Sequence, residues 1–237
     1  MLFAGLLSFS LPDQAQQSIE IAVPENAAFV PVALAVLQQA YAKLGVTVKT
    51  RTLPLRRGVQ LADAGELDGD LVHVLPSLKE WEHLVVVKVP VARAVFSAYM
   101  LGATCPTKVS TAELLAGRVA YMRGTRAIEG ALPAAALREA SNNLDALRHV
   151  QRGITTYAVA GQMETDVLLI KNGLSRDFCK VPEPVVASEL FHSLNVKHAQ
   201  LAARVERVLQ EMSDRGEIKR LWAVEGQRAQ KALLAAP

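Results

Sequence analysis

Leu61-Ala-Asp-Ala-Gly-Glu-Leu-Asp-Gly-Asp-Leu-Val-His-Val74 predicts the end of a helix, a stop at Gly65, an acidic turn and a strand over residues 70–74. A similar series occurs later as Tyr157-Ala-Val-Ala-Gly-Gln-Met-Glu-Thr-Asp-Val-Leu-Leu-Ile170, in which Gly161 stands where the first series has Gly65. A chain that builds one helix–turn–strand unit twice is expected to form two lobes of similar architecture. Two lobes imply a cleft between them.

The composition is that of a globular protein of one large or two small domains. The chain has 237 residues, of which 51% are hydrophobic and 5% aromatic, and its net charge is +3. It contains no run of lysine or arginine and no basic patch interleaved with aromatic residues, so we predict no nucleic-acid partner. We expect a monomer.

The N-terminus carries an apolar run from Leu2 to Leu11 that is too short to span a bilayer. The run has the length of the hydrophobic part of a signal peptide, and small polar residues follow it. We therefore interpret residues 1–17 as the remnant of a signal peptide and predict a periplasmic protein. The alternative is an N-terminus that packs on the core.

The order of predicted elements favours an α/β fold. A strand over residues 19–23, an amphipathic helix over 33–44, a strand over 46–52, a short helix and the strand over 70–74 indicate a parallel sheet flanked by helices. The second half is interpreted in the same order, with a strand over 146–150, a helix over 154–160 and a strand ending near residue 170. The expected architecture has two lobes, each a mainly parallel sheet flanked by helices. Lobe 1 comprises residues 18–99 plus 188–237, lobe 2 comprises residues 100–187, and two hinge crossings join them.

Four segments carry a family resemblance: Pro54-Leu-Arg-Arg57 with Ala64-Gly-Glu-Leu-Asp-Gly-Asp70, Leu115-Ala-Gly-Arg-Val-Ala-Tyr-Met-Arg-Gly-Thr125, Ala160-Gly-Gln-Met-Glu-Thr-Asp-Val-Leu-Leu169, and Leu190-Phe-His-Ser-Leu-Asn-Val-Lys-His-Ala199. In this order they resemble bacterial extracellular solute-binding proteins of family 3. The resemblance implies the type II periplasmic-binding fold, a small-molecule ligand and a membrane permease of an ABC-type uptake system as partner. It implies no cofactor.

The sequence departs from the members of that family that bind amino acids. Those members carry an arginine after the third strand, where this chain has Leu75-Pro-Ser-Leu-Lys-Glu-Trp81. They also place an acid at the end of a later strand, where this chain has, at about that position, Lys171. Both departures lead us to expect a solute other than an amino acid.

Ligands of open α/β sheets bind beyond the carboxyl ends of the strands. The candidate ligand-binding residues there are Glu25, Asn26, Phe29, Arg57, His73, Ser77, Tyr99, Arg123, Thr125, Arg126 and Lys171. Cations outnumber acids among them, which favours an anionic or carboxylate-bearing solute. Gly124 would also let a ligand approach the free N–H groups of the following helix. The alternative for each arginine is a solvated surface position, and for Phe29 a place in the core.

Two other functions are compatible with the same fold. The expected fold resembles that of periplasmic dehydratases acting on cyclohexadienyl acids, and His73 and Glu25 would be the candidate acid–base groups of such an enzyme. It would also suit a sensory module that reports ligand occupancy to a receptor. No catalytic residue and no metal ligand is assigned, because no Ser/His/Asp or Cys/His arrangement is present.

The two cysteines, Cys105 and Cys179, stand near the two expected crossings between the lobes. Crossing strands run side by side, so we predict a disulfide between them at the base of lobe 2. Two buried free thiols are the alternative.

Overall fold

The first part of the chain forms the predicted β-α-β-α-β series. A computed structural model describes residues 17–25, 27–75 and 80–235. Its first elements are β1 (Ser18–Pro24), α1 (Val30–Ala42), β2 (Thr47–Leu53), α2 (Leu55–Asp63) and β3 (Gly69–His73). Gly45 and Gly65 have φ values of 70° and 78°, which let the chain turn back after α1 and α2.

The rest of the chain continues the alternation around two long strands. Its elements are β4 (Leu84–Leu101), α3 (Thr111–Gly117), β5 (Val119–Met122), α4 (Arg126–Ala131), β6 (Leu137–Ala140), α5 (Asn143–Gln151), β7 (Tyr157–Gly161), α6 (Gln162–Lys171), β8 (Phe178–Lys180), β9 (Val186–Asn195), α7 (Ala199–Asp214) and α8 (Glu217–Ala235). Single 3-10 turns lie at Ala134–Ala136 and Val196–His198. α3 begins with a capping box, in which Ser110 and Glu113 each accept the other's backbone N–H.

The strands and helices predicted over residues 146–170 are interchanged in the structure. Residues 146–150 belong to α5, residues 157–161 form β7, and the apolar run after Gly161 is α6. Residues 157–160 are all buried, so this strand shows no polar alternation, and a short apolar run does not distinguish a buried strand from a helix. Gly161 therefore begins a helix, whereas Gly65 follows one, and the two similar series are not structural repeats.

The strands form one sheet in the order β2-β1-β3-β9-β4-β7-β5-β6, and β8 pairs with β4. β1 is parallel to β2 and β3, and β5 is parallel to β6 and β7. β4 and β9 are antiparallel to each other, and they join the two parallel groups through antiparallel pairs with β7 and β3. Each parallel group has helices beside it, as the α/β prediction requires.

The register shows that the carboxyl ends of the two parallel groups face each other. β3 runs in the same direction as β4, and its last residue, His73, pairs with Phe191, which also pairs with Pro90 of β4. β7 runs against β4, and its last residue, Gly161, pairs with Phe96. Six residues of β4 thus separate the two ends, about 20 Å along an extended strand. The middle segments of β4 and β9 form the floor of this gap.

Separate hydrophobic clusters lie on the two sides of the gap. The largest joins α1, α7 and Ile218 of α8 to β1, β3 and the first half of β4. Two others contain Ala98 and Tyr99 of β4 together with β5, β7, α4 and α5. β4 and β9 are therefore the two crossings between lobes. The boundaries 18–99, 188–237 and 100–187 stay a prediction, and these clusters favour a first crossing near residues 93–96.

Cys105 and Cys179 form a disulfide bond, as the crossing geometry predicts. The bond ties the segment after β4 to β8, inside the second lobe. Across the described ranges, no helix is long and apolar enough to cross a membrane. The apolar run Leu2–Leu11 lies outside the described residues.

Candidate functional site

The turn after β1 and the start of α6 meet across the gap between the lobes. The backbone N–H of Ala28, in the first lobe, donates to Oε1 of Glu164, in the second lobe, at 3.3 Å. Because β1 and β7 both end at this gap, the contact marks the mouth of a cleft lined by the residues that follow the strands. The candidate site is this cleft.

The N-terminus of α2 brings two arginines and an uncapped helix end to the carboxyl end of β2. It follows β2 directly, it begins after Pro54 without a capping side chain, and its first turn contains no acidic residue. Its free N–H groups carry the positive end of the helix dipole. Arg56 and Arg57 lie in this turn, both exposed, and neither has an ion pair or a side-chain hydrogen bond with any described residue.

The N-terminus of α4, predicted to bind an anion through Arg123, Gly124, Thr125 and Arg126, is already occupied by a carboxylate of the chain. Oε1 of Glu129 accepts the N–H of Gly124 at 3.1 Å. The Thr125 hydroxyl donates to the carbonyl of Met122 at 2.7 Å.

The two arginines beside this turn differ. Nε of Arg123 donates to Glu139 at 2.6 Å, so its charge is already paired at the surface. The Arg126 side chain is exposed and makes no ion pair with a described residue. The start of α4 is therefore a poorer candidate for an anion site than the start of α2.

His73 ends β3 and is buried against a buried acid. Its Nδ1 contacts the Asp70 carboxylate, which lies under α2 beside Gly58. Burial raises the pKa of the Asp70 carboxyl, and the hydrogen bond with His73 opposes that rise. The contact fixes the orientation of the His73 ring at the strand end. A carboxylate that orients a histidine is also an arrangement used in acid–base catalysis.

A second buried histidine connects β3 to the hinge strand β9. Nδ1–H of His192 donates to the carbonyl of Asp70 at 2.7 Å, and because a carbonyl can only accept, Nε2 accepts the Tyr41 hydroxyl at 2.8 Å. Burial lowers the pKa of His192 to about 4, so this ring is neutral at pH 7.

Tyr99 does not line the cleft as an exposed wall, because its side chain is fully buried. Its hydroxyl donates to Oδ1 of Asp166 at 2.9 Å and lies 3.2 Å from the carbonyl of Gln162. Nζ of Lys180 holds the other oxygen of Asp166 at 2.5 Å. Burial, followed by the negative charge of Asp166, raises the pKa of Tyr99. These contacts fasten α6 to β4 and β8.

Glu25 and Phe29 lie in the turn after β1. Glu25 is exposed, and its N–H donates to the carbonyl of Leu53 at 3.2 Å, which ties the ends of β1 and β2 together. Phe29 is half-buried, lies against the first-lobe core and precedes α1. Asn26 and Ser77 lie outside the described residues.

The placement of Lys171 at a strand end is wrong. Lys171 is the last residue of α6, a helix that starts at the cleft and runs away from it, so Lys171 lies at the far end. The residues that follow β7 are Gln162, Met163 and Glu164, which the sequence interpretation missed. Gly161, followed by Glu164 in the first helical turn, was the available signal for a helix start. An acid, not a cation, thus follows this strand.

Several apolar side chains also follow strand ends. Leu55 at the start of α2, Leu75 after β3 and Met122 at the end of β5 are 50%, 43% and 39% exposed. Leu55 stands next to the unpaired Arg56 and Arg57 in the first turn of α2. An exposed large hydrophobic residue beside unpaired arginines suits a ligand with a charged group and a carbon skeleton. Among the described side chains, no group of three or more His, Cys, Asp or Glu could hold a metal ion. A depression of about 310 Å³ beside Ala42 and Val46 lies at the amino-terminal end of β2, away from the strand ends that line the cleft.

No protein-family model matches the chain, and no curated protein matches it. Solved structures share its fold. The ligand-binding core of GluR0 in complex with L-glutamate superposes with a TM-score of 0.67 at 15% identity, covering 91% of this chain and 99% of that one. The periplasmic VFT2 domain of BvgS from Bordetella pertussis gives 0.64 at 16% identity, covering 90% and 93%. YtmK from Bacillus subtilis, a probable amino-acid ABC transporter extracellular-binding protein, gives 0.65 at 13% identity, covering 87% and 96%. The predicted two-lobed fold of periplasmic binding proteins is thereby confirmed.

Proposed function

We propose that the protein is an exported solute-binding protein that captures a small carboxylate-bearing solute between its lobes for an ABC-type uptake system. The observation that carries the proposal is the N-terminus of α2, where Arg57 and Arg56 stand beside free N–H groups with no acid in the first turn. Ligand contacts with both lobes would favour hinge closure by the difference in affinity between the closed and open states.

The chemistry of α2 selects for an anion. A helix N-terminus stabilises a negative charge by about 0.3–1 kcal/mol when exposed and by up to about 2 kcal/mol when partly buried. A bidentate arginine adds directional recognition of a carboxylate. Leu55 and Leu75 supply apolar surface for the carbon skeleton of the solute. Amino acids belong among the candidates, because Lys171, the cation expected at a strand end, lies at the far end of α6.

The experiment is a thermal-shift screen of the purified protein, followed by calorimetric titration and by native mass spectrometry for a co-purifying ligand. The screen compares mono- and dicarboxylates, amino acids, neutral sugars and amines. We expect only compounds that carry a carboxylate, amino acids included, to stabilise the protein. A ligand at one hundred times its Kd adds about 2.7 kcal/mol to the free energy of unfolding. Stabilisation by sugars or amines, without any by carboxylates, would contradict the proposal.

A matched pair of variants locates the site. Arg57→Gln should weaken the binding of the best carboxylate about tenfold or more, since one charge-assisted hydrogen bond contributes about 1.5–3 kcal/mol. Arg204→Gln is the control, because Arg204 is exposed on α7, on the other side of the first-lobe core, and makes no ion pair with a described residue. Equal losses in the two variants would show a general charge effect instead of a site on α2.

The partner would be a membrane permease or, alternatively, a sensor receptor. Structures from both settings share the fold, including a probable ABC transporter binding protein and a periplasmic domain of BvgS. Solute uptake by cells that lack this protein would test the first partner. Loss of uptake supports transport, whereas normal uptake with a lost transcriptional response supports sensing.

The contact between His73 and Asp70 favours one second candidate function, a dehydratase-like enzyme. The carboxylate orients a histidine at a strand end, where it could act as an acid–base group. Incubation of the purified protein with a prephenate-type acid, followed by ultraviolet absorbance of an aromatic product, tests it. Product formation that His73→Gln abolishes would establish the enzyme, and no product above the buffer rate would exclude this reaction.

A further inference from the structure

The first turn of α6 touches the opposite lobe on two sides. On one side, Oε1 of Glu164 accepts the N–H of Ala28 from the turn after β1. On the other side, the Met163 side chain approaches α8, where a Cβ on Gly226 would lie 3.9 Å from its terminal methyl group. α8 belongs to the first lobe, because Ile218 is buried in the first-lobe core and the helix packs on α1 and α7. These contacts join the two lobes directly.

The Glu164 carboxylate is held in place by its own helix. A Cβ added to Gly161 would lie 2.6 Å from its Oε2, so the side chain folds back over the N-terminus of α6. An acid in the first turn interacts favourably with the helix dipole, which restrains the carboxylate before it meets the other lobe. Glu164 forms no ion pair with a described residue, and the N–H of Ala28 is its hydrogen-bond donor across the cleft.

We infer that the first turn of α6 is an interlobe latch, in which Glu164 stabilises the closed arrangement of the two lobes by binding the turn after β1. Closure then does not depend wholly on a bound solute. The inference stands apart from the identity of the solute and from the role of Arg57, so it can fail while the proposed function holds.

The test measures the distance between the lobes by double electron–electron resonance, in protein purified without added solute. Labels are placed through unnatural amino acids at exposed Lys49 and Lys108, which leaves the native disulfide intact. We expect Glu164→Ala to lower the closed-to-open ratio about tenfold, the effect of losing one hydrogen bond to a charged acceptor. Gly161→Ala should also shift the distribution to longer distances, because its Cβ displaces the carboxylate while keeping the charge.

Glu66→Ala is the matched control, since Glu66 is an exposed first-lobe acid without an ion pair to a described residue. Far-ultraviolet circular dichroism confirms that each variant is folded. Longer distances in Glu164→Ala and Gly161→Ala, together with the wild-type distribution in Glu66→Ala, support the latch. A wild-type distribution in both cleft variants overturns it, and so does an equal shift in Glu66→Ala.

Discussion

Loss of the disulfide between Cys105 and Cys179 should destabilise the second lobe strongly. The two residues are 74 positions apart, and the loop they close contains β5, β6, β7 and the helices from α3 to α6. For a loop of that length, the chain-entropy relation gives about 4.4 kcal/mol at 25 °C, near the upper end of the roughly 2–5 kcal/mol found for native disulfides. The bond acts by restricting the unfolded chain, so the native contacts need not change.

Urea unfolding with and without reductant measures this effect on one and the same sequence. With a slope of at most about 3 kcal/mol per molar urea, a loss of that size lowers the midpoint by at least about 1.5 M. Both tryptophans, Trp81 and Trp222, lie outside the loop, so their fluorescence reports the first lobe. Circular dichroism follows both lobes. A shift seen by circular dichroism alone would show that the second lobe unfolds separately.

The control is the double variant Cys105→Ser/Cys179→Ser, whose unfolding should not respond to reductant. Reduction also avoids a change in side-chain packing, which matters because Cys105 packs against the second-lobe core. A midpoint for reduced wild-type protein within about 0.3 M of the oxidised one corresponds to less than about 1 kcal/mol. That result would refute the reasoning.

Further predictions concern two glycines and a buried histidine. Gly69→Ala should destabilise the protein by about 1–3 kcal/mol, because its Cβ would clash with the backbone carbonyl of Ser193. Gly226→Ala should stabilise α8 by about 0.5–1 kcal/mol, because the nearest atom to the added Cβ is 3.9 Å away. Urea unfolding measures both changes, and a change of the same sign in the two variants would contradict the packing argument. Burial lowers the pKa of His192 to about 4 from 6.5, so the unfolded chain binds the extra proton between these values and stability falls as pH drops from 6.5 to 4. The loss is about 3 kcal/mol, and it should be absent from His192→Gln; parallel pH profiles for the two proteins would show that this histidine is not responsible.

The first lobe could be predicted from sequence because its signals are local. The buried residues of α1 recur at helical spacing, and Gly45 and Gly65 mark the turns that follow α1 and α2. β3 follows an acidic turn. The type of each of these elements therefore follows from its own residues and their close neighbours in sequence. The capping box at Ser110 was visible for the same reason.

The second lobe was harder because its apolar runs are short and lack a clear period. Residues 157–160 and 166–170 both contain alanine, valine or leucine in series, so neither run has a decisive period. Only the pairing of β7 with β4 and β5 decides that the first run is the strand. Because β7 ends at Gly161, Glu164 lies at the cleft and Lys171 lies at the far end of α6.

The sequence by itself determined the α/β class, the first β-α-β-α-β series and the arginine pair at the start of α2, since each depends on neighbouring residues. Only the tertiary structure decided which strand ends face each other, because that depends on the long antiparallel pair β4 and β9. It also decided which helix ends remain free for a solute. Glu129 covers the start of α4 and Glu164 the start of α6, while α2 has no acid there. Whether a carboxylate covers a helix N-terminus depends on the fold around it, and a local sequence pattern does not specify this.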